Sequence, residues 1–422
     1  MAEDIGKRPD RAAEVMGALA ALGVHGRRLE RPANEKEAQA ILAQAHRDRK
    51  TVLPCGGGTS MGSGTLPEAV DIVLDTTGLD RMLSFDSQNL NMAVLGGMTV
   101  DAINAQLAGE GRGFFLPLDP PQAGRATIGG VYASNGSGPR RLLYGTVRDQ
   151  ALGVRGADAQ GREVGFGGKT VKNVSGYDLT KFFIGSGGSL GLITSISLRI
   201  MPLPEASSLC EVRFEEAAGL DRFLSALRAS VLVPSAVVVT EGAAGGNGAL
   251  RVLVGFEGDG VAVARENRDL LQMAGTCGGS GEATEGRDAL NEALRSAQEP
   301  AGFPDDYVHI KVCVPLSQGP KAYDALRGLL RQHPLGFWKA ILCAGSGVLT
   351  LYASGLEGDG ARRLAEGARQ LASAAGGHAA PVRATRAFLE AWGPRAEPGL
   401  ERWVLQPLKR QLDPAGVFPA IL

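Results

Sequence analysis

The sequence predicts an α+β protein in two folded regions, 1–205 and 206–379, followed by a helical tail over 380–422. Three observations lead there. Apolar residues switch repeatedly between the 3.6-residue spacing of helices and the two-residue alternation of strands. A long alternating run, "SLGLITSISLRIMPLP", stops at prolines near Glu205, and a fresh strand-and-helix pattern starts at 206. A chain of 422 residues, 44% hydrophobic and 21% charged, is long enough for two or three domains with cores of their own.

Taken in order, residues 9–50 read mostly as helix. In "NEKEAQAILAQAHRDR", Ala38, Ile41, Leu42 and Ala45 share one face behind an Asn34 cap, with Glu37 three residues on. The runs "TVLP", "AVDIVLD", "RMLSFD" and "NMAVLGG" are short, apolar and separated by Gly, Pro and Asp, so strands are expected through residue 96. "TVDAINAQLAGEG" returns to helical spacing, with Thr99 as cap and Gly109 or Gly111 as stop. Gly-rich polar stretches run from Gly124 to Gly145, and the D-A-Q-G turn in "DQALGVRGADAQGREVGF" suits a hairpin.

In the second region a strand, "SLCEVRF", precedes a helix through "GLDRFLSALRAS", strands at "SAVVVT" and "ALRVLVGFEG", and a long helix from about Val261. "YVHIKVCVPL", a helix from Gly319 and "GVLTLYAS" repeat that alternation, which predicts one sheet with helices on one face. "GGSGEATEGR", between Gly278 and Arg287, reads as a surface turn. The tail reads as two helices, the second ended by Asp413-Pro414.

Lys and Arg number 44 against 45 Asp and Glu, so the overall charge recruits neither nucleic acid nor an anionic membrane. No window approaches eighteen uncharged apolar residues, and the charged start "MAEDIGKRPDRAAEV" lacks the core of a secretory signal; a cytoplasmic protein is expected, membrane-associated if at all through partners. Five cysteines, dispersed and without a C-x-x-C pair, argue against a disulfide framework and against an iron–sulfur cluster carried by this chain. The five histidines, His25, His46, His309, His333 and His378, show no metal-ligand spacing, so no metal site is expected.

Chemistry gathers in three glycine clusters. In "TVLPCGGGTSMGSG", Gly56, Gly57 and Gly58 follow Pro54 and precede Thr59 and Ser60; backbone without Cβ atoms approaches a pyrophosphate closely, and the hydroxyls add donors. "LPLDPPQAGRATIGGVYASNGSGPRRLLYGTVRD" repeats the device at Gly129 and Gly130, with Thr127, Ser134, Asn135, Ser137, Arg140 and Arg141 as polar groups able to anchor phosphates. "GSGGSLGLITS" opens a strand where a flat ring can lie against backbone. Neither the G-x-G-x-x-G fingerprint nor the glycine-lysine phosphate loop is present.

On these motifs, residues 51–205 resemble the FAD-binding domain of the vanillyl-alcohol oxidase and p-cresol methylhydroxylase flavoprotein superfamily. More narrowly, "ATIGGVYASNGSGPRRLLYGTVRD" and "GGKTVKNVSGYDLTKFFIGSGGSLGLITSISLRIMPLP" are similar to the smaller flavin-binding subunits of bacterial glycolate oxidases. The resemblance implies a two-part FAD domain with a second α+β cap domain. It places the pyrophosphate along Gly56–Ser60 and Thr127–Gly130, beside Pro54. Ser134, Asn135 and Gly138 would help to hold the cofactor, the backbone at Gly188, Gly191 and Ile193 would complete the cradle, and Asp119 and Pro120 would approach the flavin. FAD attachment is expected to be non-covalent, with Cys55 packed rather than tethered. Gly57→Asp is expected to abolish cofactor retention.

The implied partners are a larger FAD-containing catalytic subunit and an iron–sulfur subunit, serving a small 2-hydroxy acid such as glycolate or D-lactate. The histidine metal motif of the larger relatives is missing here, so an auxiliary or electron-transfer flavin is one reading. A free-standing dehydrogenase with its substrate site in the cap is the alternative; a bare scaffold is disfavoured by the intact glycine loops. For that alternative, His309 is the base and Lys311 the carboxylate clamp if their strand face looks at the flavin; otherwise the face is solvated or covered by helices. Tyr177, in "KTVKNVSGYDLTKFF", is a further catalytic candidate or a packing residue. Trp392, Arg395, Arg402, Trp403, Lys409 and Arg410 in the tail either meet another subunit or, with Phe388, pack on their own domain.

Overall fold

The computed structural model describes residues 11–61, 66–111, 113–168, 178–241, 250–304, 306–332, 335–356, 358–393 and 400–419. Helix α1 (Arg11–Ala21) leads into strand β1 (His25–Glu30), and α2 (Glu35–Arg47) leads into β2 (Val52–Cys55) and β3 (Ala69–Asp75). The strands form a parallel sheet in the order β1-β3-β2, with α1 and α2 packed on separate apolar clusters around it. Strand β1 corrects the expectation of helix through residue 50. "HGRRLE" has no apolar alternation, and it becomes a strand by backbone pairing with β3, from His25 opposite Ala69 to Glu30 opposite Leu74. Helix α2 starts as expected: Asn34 accepts from the Glu37 amide, and Glu37 accepts from the Ala33 amide.

A five-stranded antiparallel sheet follows. It is built from β4 (Met82–Asp86), β5 (Asn91–Leu95), β7 (Ala151–Ala157), β8 (Glu163–Gly167) and β9 (Leu192–Arg199), in the order β4-β5-β9-β7-β8. Between β5 and β7 run α3 (Val100–Ala108), the short β6 (Phe114–Phe115), α4 (Ile128–Ser134), α5 (Arg141–Tyr144) and α6 (Val147–Gln150). Thr99 caps α3, and Ile103, Leu107, Ile128 and Val131 close over Met92, Val94, Ile196 and Leu198. Glu35 of α2 accepts from the Thr194 and Ser195 hydroxyls of β9, tying the two sheets together. β10 (Met201–Pro202) pairs with β6 and ends this part of the chain.

The next sheet has eight antiparallel strands: β11 (Ala206–Phe214), β12 (Ala236–Glu241), β13 (Leu250–Gly258), β14 (Ser280–Glu285), β15 (Val308–Cys313), β16 (Trp338–Cys343), β17 (Val348–Ala353) and β18 (His378–Arg383). Their spatial order is β14-β11-β13-β12-β16-β17-β15-β18. Helices α7 (Ala217–Ala229), α8 (Gly260–Thr276), α10 (Gly319–Arg331) and α11 (Asp359–Ala374) cover one face, burying Phe223, Leu270, Tyr323, Leu326 and Leu364. Helix α9 (Arg287–Gln298) corrects the one-face expectation: Leu290 and Leu294 pack on Leu209, Val238, Leu253 and Ile341, which point the other way. The expected surface turn at Gly278–Arg287 is also corrected, because Ser280–Glu285 pairs with β11 as an edge strand although every one of its residues is exposed.

The tail returns to both parts. In α12 (Arg386–Trp392), Phe388 and Trp392 enter the core beneath the eight-stranded sheet. Helix α13 (Leu400–Leu412) ends in a latch, where Lys409 Nζ donates to the Ser189 and Phe418 carbonyls and to Asp413. Asp413 accepts from the Val417 and Phe418 amides, and Val417 and Phe418 pack beside α2. Trp392 and Lys409 are therefore engaged inside this chain. Arg395 and the side chains of Arg402 and Trp403 lie outside the described residues.

Candidate active site

The three glycine clusters meet in space. Pro54, Gly56, Gly57, Gly58, Thr59 and Ser60 leave the end of β2; Thr127, Gly129, Gly130 and Ser134 belong to α4 and its cap; Gly188, Gly191 and Ile193 enter β9. All of them line one cleft of about 860 Å³. The glycines divide into two jobs. A Cβ on Gly57 would stand 1.8 Å from the Arg125 carbonyl oxygen, on Gly56 2.2 Å from Thr127 Oγ1, and on Gly129 2.8 Å from the Gly96 carbonyl oxygen. These three let protein segments converge. Gly58 and Gly188 instead hold φ at +73° and +78°, and a side chain on Gly58 would enter open space. An open, donor-lined cradle of this kind fits a pyrophosphate, so the residues present suit a dinucleotide cofactor.

A second cleft of about 850 Å³ continues from the first through Thr59, Ser60 and Ser134, and it holds Pro120, Asn135, Gly138, His309 and Lys311. Strand β15 decides which way the last two point. Val308, Ile310 and Val312 enter the core under the helices, so His309 and Lys311 emerge on the cleft side. Neighbouring strands repeat the split, with Thr350 and Tyr352 of β17 and Ile341 and Cys343 of β16 on the cleft wall. That wall is sequence-readable in "GVLTLYAS", where alternation puts Val348, Thr350 and Tyr352 on one face, yet nothing in the sequence tells which face meets the cofactor. Tyr177 lies outside the described residues.

His309 is buried with its ring centroid 4.5 Å from that of Tyr352. Burial, then the charges of Lys311 and Arg383, push its pKa down to about 3, so the imidazole is neutral at physiological pH. Burial also lowers Lys311, and Arg141 across the cleft adds to this. Gln122 donates to Tyr307 Oη at 2.8 Å, and Arg383 stacks 4.7 Å from the Tyr307 ring centroid, closing one end where the two parts of the chain meet.

Asp119 departs from its expected place and lines neither cleft, facing an adjoining crevice instead. Its carboxylate accepts from the Arg140 amide at 3.1 Å, and its own carbonyl oxygen would lie 1.9 Å from a Cβ on Gly138. Burial raises its pKa to about 7 against the pull of Arg140. The Arg140 side chain, expected among phosphate anchors, forms two bonds to Glu257 of β13 at 2.9 and 3.3 Å. Both residues position the loop between the clefts. Cys55 is 4% exposed among Leu53, Val70 and Val73, and burial pushes its thiol up to about 12, which suits packing rather than thiolate chemistry.

Comparison with known proteins agrees with this geometry: a family described as FAD binding domain matches residues 27–167. The chain carries an FAD-binding domain. That match holds the first two glycine clusters, while the third reaches the same cleft through β9. Glycolate oxidase subunit GlcD of Bacillus subtilis is 34% identical over 205 residues, 48% of this chain and 43% of the relative. Glycolate oxidase subunit GlcE of Escherichia coli is 37% identical over 172 residues, 40% of this chain and 48% of the relative. D-lactate dehydrogenase of Archaeoglobus fulgidus is 37% identical over 175 residues, 41% of this chain and 38% of the relative. The matched segments thus span less than half of each of these relatives. Among solved structures, xylooligosaccharide oxidase from Myceliophthora thermophila, in complex with xylobiose, shares the fold with a TM-score of 0.68 at 16% identity, over 95% of this chain and 92% of that one. Alkyldihydroxyacetonephosphate synthase also scores 0.68 at 17% identity, over 92% of this chain and 76% of that one. Among the described residues, no group of three His, Cys, Asp or Glu side chains is placed to hold a metal ion, and no helix is long and apolar enough to cross a membrane.

Proposed function

We propose that this chain is an FAD-dependent oxidoreductase subunit acting in the oxidation of a small 2-hydroxy acid, with glycolate and D-lactate foremost. The observation that carries this reading is the continuity of the two clefts, which puts the FAD cradle and the His309–Lys311 wall in one space. When bound, the isoalloxazine ring supplies a two-electron acceptor for the hydrogen on the hydroxyl-bearing carbon. Gly58, Thr59, Ser60, Gly130, Ser134, Asn135, Gly188, Gly191 and Ile193 would hold the cofactor without a covalent bond. His309 offers an unprotonated nitrogen to the substrate hydroxyl. Burial, and after it the charges of Lys311 and Arg383, hold His309 down; a bound carboxylate beside Lys311 offsets the charge contribution and raises the proton affinity of His309 by that part when substrate is present.

The similarity to glycolate oxidase subunits supports assembly with a larger flavin-containing catalytic subunit and an iron–sulfur subunit. The second reading, a self-sufficient dehydrogenase, is favoured by the cleft-facing His309 and Lys311. Anaerobic flavin reduction separates the two. The FAD-loaded chain is mixed with glycolate and with each lactate enantiomer, alone and again with its co-purifying proteins. Rapid bleaching of the isolated chain supports the self-sufficient enzyme, and bleaching only in the complex supports the subunit. No bleaching in either state refutes 2-hydroxy acid oxidation.

A further inference from the structure

The substrate side of the second cleft is rich in donors, and among the described residues it contains no carboxylate. Arg141, at the start of α5, and Lys311, on β15, line it from opposite parts of the chain, and no described Asp or Glu contributes to its wall. Among the described residues neither cation forms an ion pair; the Arg141 guanidinium donates only to Ser137 Oγ, at 3.2 Å. Two partly buried cations without a counter-ion repel one another, and Arg141 accordingly contributes to holding Lys311 below the usual lysine range. The same wall carries an orphan. Tyr352 is 1% exposed, and its hydroxyl is buried with no hydrogen-bond partner. Leaving such a group unpaired is unfavourable unless a ligand meets it.

The position of Arg141 is built in. The next residue, Leu142, packs on the cap core, and a Cβ on Gly345 would lie 2.5 Å from its Cδ2, so α5 is pinned against the cap. Arg141 lines the second cleft and not the first, which separates it from the pyrophosphate cradle.

We infer that Arg141, Lys311 and the Tyr352 hydroxyl form a clamp for the carboxylate of a small anionic substrate, closed only when both parts of the chain are in place. The inference rests on reading this cleft as the 2-hydroxy acid site, and it assigns to substrate an arginine that the sequence grouped with phosphate anchors. A neutral analogue of the same shape leaves both cations uncompensated and binds poorly.

The test uses the full chain loaded with FAD. Oxalate, and its neutral counterpart oxamide, are titrated at constant ionic strength, with binding read from the flavin difference spectrum and from the shift in melting temperature. Oxalate binds and oxamide does not. Arg141→Met and Lys311→Met each weaken oxalate at least about tenfold while flavin stoichiometry stays at the wild-type value. Arg141→Lys recovers part of the loss, and Tyr352→Phe weakens oxalate by a smaller factor. Equal binding of oxalate and oxamide, no oxalate binding, or an Arg141→Met chain that binds oxalate normally overturns the clamp. So does loss of flavin from folded Arg141→Met and Arg141→Lys chains, which makes Arg141 a cofactor anchor. If oxalate binds as stated but no hydroxy acid bleaches the flavin, the oxidation reading fails and the clamp stands.

Discussion

Replacing Arg140 with methionine is the most direct probe of how the FAD-binding part and the cap are held in register. Its guanidinium meets the Glu257 carboxylate through Nε at 2.9 Å and Nη2 at 3.3 Å, and the two side chains are 9% and 0% exposed. Taking one partner from such a pair leaves a buried charge without compensation, a loss of about 3–5 kcal/mol. Two neighbours moderate it: the charge of Arg287 and the Tyr144 hydroxyl act in the same field as Glu257. The expected cost is therefore near the lower end, about 3 kcal/mol. Exchanging both residues, Arg140→Met with Glu257→Met, removes the stranded charge and restores most of the loss. Urea denaturation of the four chains in the double-mutant cycle measures this directly. A single-variant cost below about 1 kcal/mol, or a double variant no more stable than Arg140→Met, refutes the argument that this pair is an interdependent buried bridge.

Further expectations follow from the same geometry. His309 stays neutral down to about pH 3 in the folded chain, whereas the unfolded chain takes a proton near 6.5. Stability therefore falls as pH drops from about 6.5 to 3, by at most roughly 1.4 kcal/mol per unit, and His309→Gln flattens that part of an acid-denaturation profile. Gly57→Ala forces its Cβ against the Arg125 carbonyl 1.8 Å away and destabilises the chain by about 1–3 kcal/mol with or without FAD. Loss of flavin from Gly57→Asp is thus a folding effect as well. Ser134→Asp is the cleaner probe, because it sets a carboxylate at the junction of the two clefts; flavin retention drops while the melting temperature of the flavin-free chain holds. Lys409→Met strands the buried Asp413 carboxylate, costs about 3 kcal/mol in a denaturation experiment and frees the C-terminal segment to proteolysis. Acid precipitation of the FAD-loaded chain releases all flavin to the supernatant; flavin left in the pellet refutes non-covalent attachment.

Local signals carried far in this chain. Helix α2 begins at its capping box, α3 begins at Thr99, and the hairpin of β7 and β8 turns at Asp158–Gly161, because each is decided by residues a few positions apart. The glycine clusters were legible for a related reason: most positions they mark need a missing Cβ, whether for the cradle or for converging backbones. Strands β1 and β14 were illegible, since neither has an apolar face and each exists through backbone bonds to a distant partner.

What the sequence by itself determined is the set of local elements, the alternation of β15 and the glycine-rich segments of an FAD cradle. Tertiary structure alone decided that the His309 and Lys311 face looks into the cleft, that Asp119 and Arg140 brace the loop beside it, and that Trp392 and Lys409 turn inward. Periodicity assigns a residue to one of two faces, and only the packing of α7, α8, α10 and α11 on the opposite face of the sheet settles which of them is left for a ligand.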